Sequence, residues 1–396
     1  MALGALIGAY QEDDSGGLRA LLPLSGRTLV EYQVRCAAAA GAAPIIVVVE
    51  RVPQLLQDAL ERLRLDGVNA IAVSDVQDAV SRFEAGSQIL MIGDGIAPAA
   101  ELVAHLADDA EPVVATVPDE PGYAGFERID GEARWAGIAL IDANMLGSTA
   151  AMLGDWDLIS TLLRRTLQGG ARRISLDPDL TPLLANTAED LAGLQRKLLL
   201  ASRAARDDWA SCYVLAPVED IATTELLQTE VTPGWLLWSA IALIVVAALC
   251  FTRGWLGAGL GLLVLSTPLD LIAGRLATLR LRPLAPSVLA RRLLWPLSGL
   301  AMLALGWWEA RHNSGWGAGV TAICAIAFAE AARVEKRGAA PDVALWLFSR
   351  RNAVLAAVPF AIAGSWTAYL MAMLAYAALS FFLVQHVQHS GQLTSN

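Results

Sequence analysis

From about residue 233 onward the chain is dominated by long apolar stretches, at roughly 235–251, 256–273, 293–308, 316–332, 345–365 and 367–385. Several approach the length needed to cross about 30 Å of hydrocarbon. Backbone in lipid must satisfy its own hydrogen bonds, so each stretch is read as a helix, giving about six transmembrane helices. Arg350 and Arg351 interrupt the fifth. The composition agrees: 55% of the 396 residues are hydrophobic, 17% are charged, and the mean hydropathy is +0.48. An ordinary soluble protein is less apolar. Arg275, Arg280, Arg282, Arg291 and Arg292 share one loop without an acid, and Arg333, Lys336, Arg337, Arg350 and Arg351 gather in the next loop on that side. Loops rich in arginine stay in the cytoplasm. The expectation is a multi-pass protein of the cell inner (plasma) membrane, with both termini and the N-terminal half cytoplasmic and the lipid bilayer as its first partner.

The first 203 residues follow a different pattern. Ala5–Gly8, Pro44–Val49, Ala70–Val73, Gln88–Ile92 and Pro112–Val117 are short runs rich in Val and Ile, bounded by Gly, Pro and Asp, and are read as buried strands. Leu29–Ala40, Pro53–Leu65, Val76–Phe83 and Pro98–Leu106 are read as the helices between them. Such alternation predicts an α/β doubly wound, mostly parallel sheet whose ligands bind at the carboxyl ends of the strands. The loops after Gly8 and Ile92 are therefore the places to look. The apolar N-terminus lacks a basic stretch and runs into Glu12-Asp13-Asp14, so it is read as a buried strand rather than a signal peptide. Residues 204–232 form a connector, read either as an amphipathic segment on the membrane surface or as a plain surface helix. The expected boundaries are thus 1–203, 204–232 and 233–396.

A net charge of -10 argues against nucleic acid as a partner, because phosphate neutralisation needs a basic surface. Cys36, Cys212, Cys250 and Cys324 show no metal-ligand spacing, and His105, His312, His386 and His389 form no ligand motif.

The run Ala20-Leu21-Leu22-Pro23-Leu24-Ser25-Gly26-Arg27-Thr28-Leu29-Val30-Glu31-Tyr32 resembles the stretch after the phosphate loop of sugar-phosphate nucleotidyltransferases, with Arg19 where that family has a Lys. Met91-Ile92-Gly93-Asp94-Gly95 resembles the strand end whose Asp holds Mg²⁺. Ala136 to Asp142 resembles a later core strand, and Asn186-Thr187-Ala188-Glu189-Asp190-Leu191 the closing element. The resemblance implies a GT-A, Rossmann-like unit that takes CTP with Mg²⁺, Arg19 and Asp94 at the nucleotide. Nucleotidyl transfer needs donors around the triphosphate and two carboxylates for the cation. Here Asn186 stands at the second carboxylate position, and Glu12, Asp13 and Asp14 occupy a loop that should cradle a polyanion.

The second half resembles CDP-alcohol phosphotransferases, and the whole chain resembles fusions of inositol-1-phosphate cytidylyltransferase with di-myo-inositol phosphate phosphate synthase. The frame Ser211-Cys212-Tyr213-Val214-Leu215-Ala216-Pro217-Val218-Glu219, followed by Thr232-Pro233-Gly234, matches that family's connector without its Arg and Asn residues. Thr267-Pro268-Leu269-Asp270-Leu271-Ile272-Ala273-Gly274-Arg275 occupies its signature. Asp270 and Arg275 persist there, while Thr267, Leu284, Val288 and Arg292 stand where the remaining Gly and Asp belong. Four Asp in the family hold two cations and supply the base. Asp270 is left either as an ion-pair partner of Arg275 or as a remnant cation or phosphate contact. The resemblance with both sites depleted implies a degenerate membrane protein of phospholipid or polyol-phosphate synthesis. It would bind a nucleotide, a CDP-alcohol, a second copy of itself or an active relative. The competing reading is an active phosphoalcohol transferase with atypical metal use.

Overall fold

The computed structural model describes residues 2–13, 16–152, 157–202, 206, 208–227, 229, 231–281, 289–313, 315–335 and 344–393. Its contacts divide the chain into one unit of Met1–Ala201 with Arg280–Arg282 and another of Ser202–Leu279 with Pro283–Asn396.

The first unit runs β1 (Leu3–Gly8), β2 (Pro23–Leu24), β3 (Arg27–Thr28), α1 (Leu29–Ala39), β4 (Ile45–Val48), α2 (Gln54–Leu65), β5 (Ala70–Val73), α3 (Val76–Ser81), β6 (Gln88–Ile92), β7 (Ile96–Ala97) and α4 (Ala100–Ala107). It continues with β8 (Val113–Pro118), β9 (Ala133–Asp142), α5 (Ala143–Ala150), α6 (Leu158–Gln168), β10 (Arg172–Ser175), β11 (Leu183–Leu184) and α7 (Ala188–Ala201). Seven strands form one sheet in the order β10-β8-β9-β6-β1-β4-β5. β1 lies parallel to β4 and β6, and β9 runs antiparallel to both β6 and β8.

The sheet is covered on both faces, so its central strands are apolar without interruption. Ala5 and Ile7 of β1 pack with Val30 of α1, Leu56 of α2 and Val103 of α4. Leu6 points the other way, into a cluster with Leu146 of α5 and Ile159 and Leu162 of α6. That is the two-residue period of a strand buried on both sides. The expected doubly wound sheet is observed. The start of α1 is fixed by a capping box, in which Glu31 accepts from the Thr28 N–H and hydroxyl at 2.9 Å. Glu31 is fully buried and also receives Arg62 from α2 at 2.9 Å.

The second unit contains α8 (Ala216–Leu227), α9 (Pro233–Thr252), α10 (Leu256–Leu279), α11 (Leu289–His312), α12 (Trp316–Glu335), α13 (Arg350–Ile362) and α14 (Trp366–Leu393). α9 to α14 stand on the six apolar stretches. Among the described residues four helices, α9, α10, α12 and α14 over Trp366–Val387, are long and apolar enough to cross a membrane. The expected count of about six is reduced on that criterion. α11 is 24 residues long but includes Arg291, Arg292, Glu309 and Arg311. α13 has 13 residues, about 20 Å at 1.5 Å per residue, which falls short of the hydrocarbon thickness. Small residues bring these helices together, as in membrane helix packing generally. Ala318, Ala322, Ala325, Ala329 and Ala332 are all buried on one face of α12. A Cβ added at Gly306 of α11 would lie 2.6 Å from that of Ala322.

Candidate functional site

β1 and β6 are neighbours, so the loops leaving their carboxyl ends meet. Between them opens a cleft of about 110 Å³, lined by residues that include Tyr10, Gln11, Arg19, Asp94, Phe126, Glu127, Trp135, Asp157 and Ser160. Asp94 stands two residues past the end of β6, after Gly93. Its Oδ2 accepts the backbone N–H groups of Tyr10 and Gln11, both at 2.6 Å. Its Oδ1 is buried with no hydrogen-bond partner among the described residues. Burial pushes the Asp94 carboxyl up to about 6, against the opposing pull of the Gln11 and Tyr10 N–H groups, the Arg19 charge and the Gly95 N–H. Gly95 has φ +70, and an added Cβ would meet the Ala185 carbonyl at 2.9 Å, so the turn after Asp94 requires glycine. From the opposite side of that turn the buried Gln33 amide of α1 donates to the Ile96 carbonyl at 2.6 Å.

Arg19 lines the cleft, but its guanidinium reaches back along its own loop. Nε donates to the Glu12 carbonyl at 3.1 Å and Nη1 to the Gln11 side chain at 2.7 Å. Glu12 forms an antiparallel bridge with Leu18, and Asp13 accepts the Gly17 N–H at 2.8 Å. The loop thus closes on itself. Asp14 lies outside the described residues. Asn186 follows Ala185, whose N–H donates to the Gly95 carbonyl at 2.8 Å, yet Asn186 is not among the residues lining the cleft. Its own N–H and that of Thr187 donate to Asp190, at 3.0 and 2.9 Å, at the start of α7. The Asn-Thr-Ala-Glu-Asp segment serves there as a helix cap.

Glu127 and Asp157 were not singled out in the sequence. The Ser160 hydroxyl lies 2.9 Å from Glu127 and 3.3 Å from Asp157, and the Tyr10 hydroxyl donates to Asp157 at 2.8 Å. Asp157 is also the N-cap of α6. An Asp before Leu158-Ile159 is a legible helix start, but nothing local tells that it borders a cleft. The Tyr10 phenol is pushed up by burial first and then by Asp157, Asp94 and Glu127, a sign of the negative potential in the cleft. For a divalent cation, the lining carboxylates are Asp94, Glu127 and Asp157. Among the described residues no group of three or more His, Cys, Asp or Glu is arranged around a common point.

In the second unit Asp270 of α10 does not pair with Arg275. Five residues along a helix turn the side chain by about 140°, onto another face. Asp270 instead receives Arg350 at 2.5 Å and Arg351 at 2.9 Å, one guanidinium on each oxygen. Arg351 also reaches Asp208 at 2.6 Å. Arg275 pairs with Asp220 at 2.5 Å and Glu219 at 3.5 Å, and Arg206 joins the same two acids.

The fold and the cleft define an α/β unit with a ligand-sized opening at the carboxyl ends of its strands, joined to a helical unit with four candidate membrane spans. No family model and no curated protein matches the chain. Among solved structures it is similar to a nucleotidyl transferase from Methanothermobacter thermautotroptrophicus, at 18% identity and TM-score 0.37 over 50% of this chain and 99% of that one. It is similar also to a protein from Bacillus anthracis assigned as a glucose-1-phosphate thymidylyltransferase, in complex with a sucrose, at 12% identity and TM-score 0.40 over 50% and 95%.

Proposed function

We propose that this chain is a membrane-anchored binding protein built on a nucleotidyltransferase-like unit, and that neither unit turns over a nucleotide. One observation carries the reading. The loop amides of Tyr10 and Gln11, which in a phosphate loop would meet the ligand, donate to the protein's own Asp94. A triphosphate would also face Asp94, Glu127 and Asp157 with Arg19 as the one basic lining residue among the described residues, an arrangement that opposes CTP more than a CDP-linked alcohol. The guanidinium groups on Asp270 support the same reading for the helical unit, because they take the oxygens a cation would need. The place of such a protein is beside an active relative, or a second copy, in phospholipid or polyol-phosphate synthesis at the plasma membrane. The exposed Tyr213, Val214, Val218 and Ile221 support a connector that rests on the cytoplasmic bilayer surface.

The test is the purified full-length chain with CTP, Mg²⁺ and a panel of polyol phosphates. Pyrophosphate release should stay at background, and membranes containing this chain alone should transfer no phosphoalcohol from a CDP-alcohol. Steady, protein-dependent turnover in either assay sinks the proposal.

A further inference from the structure

We infer that the cleft of the first unit recognises a ligand bearing a protonated or quaternary amine, seated among Asp94, Glu127 and Asp157 against the rings of Tyr10, Phe126 and Trp135. This rests on the binding reading above and names the class of ligand.

Charge gives the first reason. Of the described charged residues lining the cleft three are acids and one, Arg19, is basic, and Arg19 donates to the Glu12 carbonyl and the Gln11 amide of its own loop. Arg164 approaches Glu127 at 3.9 Å, but its side chain is 68% exposed, so water screens much of its effect. Asp94 gives the second, independent reason. It is 7% exposed, lines the cleft, and leaves Oδ1 without a hydrogen-bond partner among the described residues. A buried acceptor of this kind calls for a donor. A third reason is the closeness of Glu127 and Asp157, held within reach of one Ser160 hydroxyl, which favours a cation between them.

The chemistry of the lining separates an amine from other cations. Tyr10, Phe126 and Trp135 supply ring faces and edges, and an ammonium group is attracted to an aromatic face as well as to carboxylates. Mg²⁺ instead takes near-octahedral oxygen ligands and keeps several waters, so it would gain nothing from the aromatic part of the lining. A neutral polyol can donate its hydroxyls to these carboxylates but leaves their charge uncompensated.

The experiment is a calorimetric titration of the full-length protein in detergent at neutral pH and low salt. The probes are methylammonium and tetramethylammonium, with glycerol, inorganic pyrophosphate and Mg²⁺ alone as comparisons. Saturable binding of at least one ammonium probe is expected, weakened by added salt and at least tenfold by Glu127→Gln or Asp157→Asn. Asn remains a good N-cap, so the second variant keeps the start of α6. No saturable binding of either ammonium probe overturns the inference. So does binding of pyrophosphate or Mg²⁺ alone with equal affinity and the same sensitivity to the variants. The two readings fail separately, since pyrophosphate release in the transfer assay counts against the non-catalytic reading and this titration counts only against the amine.

Discussion

At the scale of single residues, the two aspartates expected to hold cations are each engaged by the protein itself. Asp94 holds the loop after β1 through two N–H groups, and burial raises its pKa to about 6. The folded value lies above the unfolded one, so the stability this group contributes is present below about pH 4 and is lost as the pH rises through about 6. The first unit should therefore weaken by roughly 3 kcal/mol from this group between pH 4 and 7. Asp94→Asn should flatten that slope in thermal unfolding followed against pH, and an unchanged slope would show that Asp94 is not the titrating group. Asp270 has the opposite character, a carboxylate shared by two guanidinium groups. Removing one partner of a buried ion pair leaves an uncompensated charge. Asp270→Ala should thus cost about 3–5 kcal/mol in unfolding of the helical unit in detergent, whereas a loss below 1 kcal/mol would make the pairing incidental.

At the scale of elements, legibility followed whether the cause was local. β1, β4, β6 and β8 and helices α1 to α4 were readable because burial on both faces leaves unbroken apolar runs in the strands, with amphipathic segments between them; β5 was readable by its apolar run alone, since it is the edge strand and Ile71 is exposed. The cleft was partly readable, since the carboxyl ends of β1 and β6 hold Tyr10, Gln11 and Asp94. Glu127 and Asp157 were not, because they reach the cleft only through the course of the chain after β8 and the placing of α6. The partners of Asp270 were hidden by distance along the chain: Arg350 lies 80 residues away. For the same reason those arginines looked like flaws in a span, whereas they open the short helix α13. The packing of α11 on α12 through Gly306 and Ala322 gives a test at this scale. Gly306→Val should lower stability by about 1–3 kcal/mol through overpacking, read as an earlier thermal transition in detergent, and an unshifted transition would mean that the helices do not meet there.

At the scale of the whole molecule, the arginine distribution and the helix lengths lead to different crossings. With the first unit taken as cytoplasmic, the turn at Asn313 lies outside if α11 and α13 cross together with the four apolar helices, and inside if only the four cross. The positive-inside pattern favours the first. A single cysteine at position 313 in a background lacking the native cysteines should then react with an impermeant reagent added from outside, and labelling from the cytoplasmic side alone would overturn the six-crossing topology. The first unit accounts for its own apolar faces, so residues 1–201 expressed alone should give a soluble protein with one cooperative transition. The central claim is that neither Asp94 nor Asp270 serves metal chemistry. Its most direct test is Mn²⁺ binding, followed by electron paramagnetic resonance on the full-length protein with CTP or a CDP-alcohol present. The account predicts no stoichiometric Mn²⁺ on the protein; one tightly bound ion per chain, released by Asp94→Asn or Asp270→Asn, would contradict it.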